Sequence, residues 1–307
     1  MKRYLRIILG AKSAYAEECF QGNFIGAGFN IEQDLTADLP DNWREFNLKF
    51  IPIWMKKYPD KSKISAGLAC GALWTISKGI NIGDVVICPN GSGAYYVGEI
   101  TSNYYYQADA SLPHRRSVKW YSIIIDRSAM SEALRNSSGS IGTVSDITKH
   151  TNEIKKLIGE HKSDIIFSTD DSIEDASVFV LEKHLEDFLV QNWKQTELGK
   201  DYDIFEEDGK IIGQQYRTDT GSIDILAISK DKKVLLVVEL KKGRASDAVV
   251  GQVQRYMGDI KELSEDDQIV KGAIIALEDD LKIRRALSVT NNIEFYRYQI
   301  SFKLLKN

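Results

Sequence analysis

The feature that most constrains the fold is a nearly continuous apolar run in the second half of the chain. The run extends from Val234 to Leu240 and is interrupted only by Glu239. A strand without polar alternation is typically buried on both faces, and it then lies at the centre of a sheet with helices on each side. The run therefore predicts an α/β domain built on a mixed sheet flanked by helices.

The segments around this run support the same architecture. An apolar stripe at helical spacing, formed by Leu181, Leu185, Phe188 and Leu189, predicts an amphipathic helix over residues 178–193. The remaining pattern alternates short strands with helices. It predicts strands at 222–228, 272–277 and 293–304 and helices at 246–263 and 281–287.

The first half of the chain has a different character. Short β-rich runs at 85–88, 94–100 and 117–125 are bounded by Pro and Asn-Gly signals, which indicates hairpins of a small barrel or a strongly bent sheet. Residues 128–134 and 143–160 have helical spacing, so we expect an α+β domain. A chain of 307 residues is long enough for about two domains. The acidic segment 168–175 separates them, and we expect domains at 1–165 and 176–307.

Charge and composition exclude several classes of protein. The net charge of −4 excludes nucleic-acid binding by bulk charge alone and leaves local basic patches as the alternative. Three cysteines with no C-x-x-C spacing support neither a disulfide framework nor a zinc site. No apolar run approaches the roughly 20 residues of a spanning helix, and none has signal-peptide length. The sequence predicts a cytoplasmic protein with no membrane partner.

Three charged residues converge if the strands at 222–228 and 234–240 form a hairpin. A turn centred on Asp231 and Lys232 places Asp224 directly opposite Glu239, with Cβ atoms about 5 Å apart. Lys241 lies two residues after Glu239 and therefore points to the same face.

Two opposed carboxylates repel each other unless a cation neutralises them. Mg²⁺ or Mn²⁺ is the natural cation, because it takes oxygen ligands and keeps waters that can share the site with a substrate phosphate. Such a metal activates water, and the ammonium of Lys241 stabilises developing negative charge. The pattern therefore points to phosphodiester hydrolysis. The alternative is an ordinary surface hairpin with salt-bridged carboxylates, and the apolar strand around Glu239 argues against a surface location.

These residues resemble a known family. Asp224 followed by Glu239-Leu240-Lys241 is similar to the D…(D/E)-x-K signature of the restriction-endonuclease-like (PD-(D/E)xK) nucleases, with Ile223 where the family often has Pro. Gln252 and Tyr256 resemble the Q-x-x-x-Y helix of the RecB-like and NucS-like branch, and the similarity to NucS-like and Mrr-like nucleases extends over about 178–304.

The resemblance implies a role for each of these residues. Asp224, Glu239, Lys241, Gln252 and Tyr256 would be catalytic, together with an acidic residue from the preceding helix. Glu182 fits that position and Glu186, one turn later, is the alternative. The metal ligands would be Asp224, Glu239 and Glu182, and the alternative for either helical glutamate is a solvated residue on a polar face.

The first half loosely resembles the PUA-like barrels, including EVE-type modified-base readers, in the layout of its strands. Phosphate contacts are expected from basic residues in both halves, namely Arg115, Arg116, Lys119, Lys242, Arg244 and Arg255. Candidate base-stacking residues are Trp74, Tyr104, Tyr106 and Trp120. The alternatives are solvated charges for the basic residues and core packing for the aromatic ones.

These inferences lead to one functional prediction and two alternatives. We expect an Mg²⁺-dependent deoxyribonuclease, a DNA endonuclease of restriction or defence type whose first domain selects modified or unmodified DNA, acting as a homodimer on double strands. One alternative is a protein that binds a nucleic acid or a nucleotide signal on a non-catalytic nuclease-like scaffold. The other is a NucS-like repair nuclease for branched or mismatched DNA.

Overall fold

The chain folds into two units, Met1–Glu174 and Asp175–Asn307, each with its own sheet. A computed structural model describes residues 2–139, 142–159 and 185–298. The predicted acidic linker at 168–175 lies outside these described residues.

The described part of the first unit combines one large sheet with helices on both of its faces. Its strands are β1 (Tyr4–Ile7), β2 (Phe24–Ala27), β3 (Val85–Pro89), β4 (Ala94–Ile100), β5 (Tyr105–Tyr106), β6 (His114–Asp126) and β7 (Val144–Asp146). Its helices are α1 (Ala16–Gln21), α2 (Trp43–Lys57), α3 (Lys63–Trp74), α4 (Glu132–Ser138) and α5 (Thr151–Leu157).

The sheet of the first unit follows an open path in the order β2-β6-β4-β3-β1-β7, with β5 paired to β6. Alternate residues of β3 enter different cores. Val86 packs in the cluster that includes Phe46 of α2 and Leu73 of α3, whereas Ile87 packs in the cluster that includes Leu134 of α4. The described strands thus form an open path with helices on both faces, and the PUA-like barrel expected from the sequence is not confirmed.

The predicted helix over 143–160 is a strand followed by a shorter helix. Residues of β7 pair antiparallel with β1, where Val144 lies opposite Ile7. The helix α5 starts only at Thr151, because the edge of the sheet offers backbone partners to the residues before it. The helix predicted at 128–134 is likewise displaced to Glu132–Ser138.

The second unit alternates strands and helices as the sequence predicts. Its described helices are α6 (residues 185–191), α7 (Ala248–Leu263) and α8 (Leu281–Leu287). Its strands are β8 (Tyr202–Ile204), β9 (Glu206–Glu207), β10 (Lys210–Ile211), β11 (Gln214–Arg217), β12 (Ser222–Ser229), β13 (Val234–Arg244), β14 (Ile269–Glu278) and β15 (Ile293–Arg297).

The apolar run forms β13, the central strand of a mixed sheet ordered β11-β12-β13-β14-β15, with β8 also paired to β12. The pairing is antiparallel between β12 and β13 and parallel between β13 and β14. Leu189 of α6 packs in the core on one face of this sheet. On the other face, α7 packs Val253 and Met257 against Gly272 of β14. The mixed sheet flanked by helices is therefore confirmed.

Two details of the second unit differ from the predicted pattern. Phe188 is 63% exposed and does not belong to the apolar stripe of α6, and Leu181 lies outside the described residues. The last strand ends at Arg297 and not at 304.

The three cysteines are buried thiols in the core of the first unit. None of the helices in the described parts of the chain has the length and apolar character needed to cross a membrane.

Candidate active site

The hairpin of β12 and β13 has the predicted register. Ile225 lies opposite Val238, so the next pair along the strands is Asp224 and Glu239. The backbone N–H of Leu240 donates a hydrogen bond of 2.8 Å to Oδ2 of Asp224. The two carboxylates thus come from adjacent central strands on the same face of the sheet.

Glu239 connects β13 to α7. Its side chain is only 3% exposed, and its Oε1 accepts hydrogen bonds from Nζ of Lys241 at 3.2 Å and from Nε2 of Gln252 at 2.8 Å. Gln252 also contacts the hydroxyl of Tyr256 at 3.3 Å. The i, i+4 spacing places both side chains on the face of α7 that packs on the sheet. Five of the predicted catalytic residues therefore meet at one place.

The acidic residue that α6 contributes to the described site is Glu186. It is 3% exposed, and its Oε2 accepts a hydrogen bond of 2.5 Å from Nε2 of Gln215. The same nitrogen donates to Oδ1 of Asp224 at 3.1 Å. Gln215 therefore bridges the helical glutamate and the strand aspartate. Glu182, the first choice from the sequence, lies outside the described residues.

Electrostatics within this cluster favour a bound cation. The pKa of Asp224 is well above its ordinary value, because the carboxyl is withdrawn from water and faces the carboxylates of Glu239 and Glu186. The N–H of Leu240 and the charge of Lys241 oppose this effect but do not cancel it. Burial likewise raises the pKa of the Tyr256 hydroxyl. Each positive charge added between the carboxylates would relieve their repulsion.

The donor set suits a hard divalent metal. Asp224 and Glu239 offer carboxylate oxygens, the ligands that Mg²⁺ prefers, and Mg²⁺ is commonly held by one or two carboxylates with waters completing its shell. Within residues 2–139, 142–159 and 185–298, no group of three His, Cys, Asp or Glu side chains is arranged to hold a metal ion. The described site thus contains two carboxylates, and the side-chain amide of Gln215 links Glu186 to one of them, Asp224.

Two residues that position the site were missed in the sequence. Gln215 lies on β11, where Tyr216 pairs with Ile223, and this register places Gln215 opposite Asp224. The turn signal Thr218-Asp219-Thr220-Gly221 could have revealed that pairing. Gly221 is the second, because a Cβ there would lie 2.5 Å from the hydroxyl of Tyr256.

The basic residues predicted to contact DNA next to this site have different surroundings. Arg244 and Arg255 are exposed, and Arg244 forms a salt bridge of 3.2 Å with Glu278. Lys242 is half-buried, and its backbone carbonyl accepts a hydrogen bond from the hydroxyl of Tyr298. Of these three residues, only the two arginines are exposed, and Glu278 partly neutralises the charge of Arg244.

Two of the first-unit residues predicted to contact phosphate, Arg115 and Arg116, make contacts within the fold. Arg116 is 3% exposed, and its guanidinium donates to the carbonyl oxygens of Ser77, Ile80 and Ser102. Arg115 stacks 3.8 Å from the ring centre of Phe24. Arg116 cannot reach a phosphate in this conformation. Nε of Arg115 donates a hydrogen bond to the carbonyl of Leu112, three residues earlier, and its side chain has little exposed surface. Lys119, in contrast, is exposed.

The predicted stacking residues divide into two groups. Trp74 and Trp120 pack against the core, and their indole N–H groups donate to the carbonyls of Pro40 and Cys19. Both tryptophans keep part of their surface exposed, and Tyr104 packs against the same core, so a role of these residues in base reading stays a prediction. Tyr104 and Tyr106 lie beside His114, with ring centres at 5.9 Å and 5.3 Å, and both keep part of their surface exposed.

Two different family models match the two halves of the chain. Residues 181–303 match the endonuclease NucS C-terminal domain, and residues 6–148 match a domain of unknown function (DUF8426). The resemblance of the second half to NucS-like nucleases is therefore confirmed.

The related proteins cover only part of the chain. Endonuclease NucS of Sulfolobus acidocaldarius is 29% identical over 143 residues, which is 46% of this chain and 50% of that protein. Endonuclease NucS of Methanocaldococcus jannaschii is 33% identical over 95 residues, 31% of this chain and 35% of that protein. The alignments thus span half or less of these relatives.

Solved structures give weak overall similarity. A repair endonuclease from Pyrococcus abyssi has a TM-score of 0.31 at 14% identity, with 69% of this chain and 66% of that chain covered. An EndoMS complex with double-stranded DNA has a TM-score of 0.33 at 13% identity, with 70% and 68% covered.

Proposed function

We propose that this protein is a divalent-metal-dependent DNA endonuclease of NucS type. The observation that carries the proposal is the convergence of Asp224, Glu239 and Lys241 on one face of the central sheet, with Gln252 and Tyr256 of α7 beside them. A purely structural hairpin has no need for two carboxylates withdrawn from water next to each other, because their repulsion destabilises the fold. The match of residues 181–303 to the NucS domain supports the same function.

Each residue of the site would have a distinct role in cleavage. Asp224 and Glu239 would hold Mg²⁺ or Mn²⁺, which supplies an activated water and polarises the phosphoryl oxygen when bound. The ammonium of Lys241 retains contact with solvent, with 23% of its side chain exposed, and it would stabilise charge that develops on the phosphate. Gln252 fixes the orientation of Glu239, and Gln215 fixes that of Asp224.

A cleavage assay with Mg²⁺ or Mn²⁺ tests this function. Asp224→Asn, Glu239→Gln and Lys241→Met should each abolish cleavage while leaving folding and DNA binding intact, since they act on metal, water and phosphate. Asp203→Asn and Glu206→Gln are matched controls, because both side chains are exposed on strands of the same unit outside the site. Cleavage by Asp224→Asn and Lys241→Met at the wild-type rate would show that the site is assigned wrongly.

Two kinds of DNA are candidate substrates. A NucS-type enzyme would act on branched or mismatched DNA as a repair nuclease. A nuclease of restriction or defence type would act on DNA selected by sequence or modification, and the first unit would then make that selection. Parallel assays on modified plasmid, unmodified plasmid, mismatched duplex and branched duplex separate the two.

Target selection and assembly complete the proposal. The first unit would select the DNA and the second would cut it, so the isolated second unit should cleave without preference. One metal site cuts one strand, and a double-strand break therefore requires a homodimer placed on the local two-fold axis of the duplex. Sedimentation on DNA should show a dimer under conditions of double-strand cleavage. A monomer that makes such breaks contradicts this assembly.

A further inference from the structure

The turn between β11 and β12, residues 218–221, borders the candidate active site. A Cβ on Gly221 would lie 2.5 Å from the hydroxyl of Tyr256, so the backbone of the turn packs directly against that ring. Asp224 follows three residues later, near the start of β12. The position of the turn therefore affects two residues of the site, one on α7 and one on the sheet.

Internal hydrogen bonds fix the shape of this turn. The backbone N–H of Thr218 and its hydroxyl both donate to the carbonyl of Gly221, at 2.7 Å and 3.0 Å. The backbone N–H of Thr220 donates to the hydroxyl oxygen of Thr218 at 3.2 Å. Because Thr218 is buried, these bonds are shielded from water. They make the turn a compact unit, but they do not attach it to α7.

A buried carboxylate of α7 attaches the turn to the helix. The hydroxyl of Thr220 donates a hydrogen bond of 2.5 Å to Oδ2 of Asp259, and Asp259 is only 6% exposed. A hydrogen bond to a carboxylate is roughly twice as strong as one between neutral groups. Asp259 thus holds the turn in the place where Gly221 meets Tyr256.

Asp259 lies on the helix face that contributes to the site. It comes seven residues after Gln252 and three after Tyr256, and these spacings place the three side chains on one face of α7. Burial and the negative charge of Asp259 raise the pKa of the Tyr216 hydroxyl, so the carboxylate is also close to β11. Asp259 is therefore found where the helix, the turn and the edge strand meet.

We propose that Asp259 is a positioning residue for the cleavage site, an inference that rests on the proposed function. Through Thr220 it holds the 218–221 turn on α7. The turn, held in this place, keeps Tyr256 against the site and directs β12 so that Asp224 faces its partner strand. Asp259 itself touches neither metal nor DNA in this role, and it acts only through the turn.

Two substitutions at Thr220 test the attachment. Thr220→Val removes the hydroxyl with little change in shape, and Thr220→Ser keeps the hydroxyl. Residues that orient metal ligands from outside the coordination shell typically change metal affinity or activity by about 10- to 100-fold. Thr220→Val should therefore lower kcat and weaken Mn²⁺ binding, measured by calorimetry without DNA, by about tenfold or more. Its KM for DNA should stay unchanged, and Thr220→Ser should restore kcat and Mn²⁺ affinity.

A matched control separates positioning from stability. The hydroxyl of Thr290 donates to the carbonyl of Leu287 at 3.0 Å, at the C-terminal end of α8, so Thr290→Val also removes one side-chain hydrogen bond. The urea midpoints of both valine variants should fall to a similar extent, but Thr290→Val should keep the wild-type kcat and Mn²⁺ affinity. Asp259→Asn should lower the kcat of the wild type and should not lower that of Thr220→Val further, because both substitutions act on one hydrogen bond.

The kinetic constants distinguish positioning from other roles. A lower kcat at unchanged KM, with weaker Mn²⁺ binding and rescue by serine, supports the positioning role. A raised KM at unchanged kcat overturns it, since Thr220 would then contact DNA itself. Equal losses of kcat in both valine variants overturn it as well. Wild-type kcat and Mn²⁺ affinity in Thr220→Val overturn this inference alone, whereas a wild type that neither cuts DNA nor binds Mn²⁺ overturns the proposed function with it.

Discussion

Replacement of Gly221 by alanine should displace Tyr256 from the candidate active site. Gly221 precedes β12, and a Cβ at this position would lie 2.5 Å from the hydroxyl oxygen of Tyr256 and 3.1 Å from its Cε1. The backbone at Gly221 has a φ of +151°, which L side chains rarely adopt. The new methyl group therefore meets the ring of Tyr256 and cannot turn away from it.

The structure gives the size of the displacement. The hydroxyl must retreat by about 0.9 Å, from 2.5 Å to the 3.4 Å at which ordinary van der Waals contact begins. The contact between Gln252 and Tyr256 is already 3.3 Å long, so a retreat of this size away from Gln252 takes it beyond hydrogen-bonding distance. Overpacking of this kind costs about 1–3 kcal/mol of unfolding free energy. A displacement near 1 Å beside the reacting groups should lower the cleavage rate by about 10- to 100-fold.

Urea unfolding and cleavage rates measured on the wild type and four variants test this reasoning. Gly243→Ala is the matched control, since a Cβ at Gly243, two residues after Lys241, meets nothing within 4 Å. Tyr256→Phe removes the clashing oxygen, so adding Gly221→Ala in that background should cost less than about 1 kcal/mol. A Gly221→Ala protein with wild-type stability and cleavage would refute the reasoning. The reasoning would also be refuted if Gly221→Ala lowered the unfolding free energy equally in the wild type and in Tyr256→Phe.

Three further predictions follow from the buried polar groups. Arg116→Met should lower the unfolding free energy by more than about 3 kcal/mol, because the carbonyls buried around the guanidinium lose their donors. Its control, Lys119→Met, should change the unfolding free energy by less than about 0.5 kcal/mol. Equal urea midpoints for the two variants would contradict the structural role of Arg116. The pKa of His114 is lowered by burial from its ordinary value of 6.5, so the unfolded chain takes up its proton first as the pH falls, and stability declines below about pH 6.5. His114→Gln should reduce the decline in melting temperature between pH 7.5 and 5.5, and an unchanged slope would exclude His114 as its source. Millimolar Mn²⁺ should raise the melting temperature of the wild type but not that of Asp224→Asn, because only the native site binds the ion; equal shifts in both proteins would place the ion elsewhere.

Local sequence determined the strand elements of the candidate site. The turn between β12 and β13 is short, and side chains alternate strictly along a strand, so the register of Asp224 against Glu239 follows from spacing alone. The same regularity places Lys241 beside Glu239, and the helical period places Gln252 and Tyr256 on one face of α7. The apolar run was sufficient to identify the central strand, because burial on both faces leaves no place for polar alternation.

Tertiary structure decided what depended on segments far apart in the chain. The contact of Glu186 with Gln215 depends on how α6 lies across the sheet, which the helical period alone does not fix. The sequence predicts a phosphate contact for Arg116. In the structure its guanidinium is buried and donates to backbone carbonyls, including those of the π-helical turn Thr75–Gly79. Helices cover both faces of the first sheet, an arrangement that the strand pattern did not predict, since that pattern indicates burial but not which element covers each face. Periodicity is a local property of the chain, whereas partner choice is set by packing between distant segments.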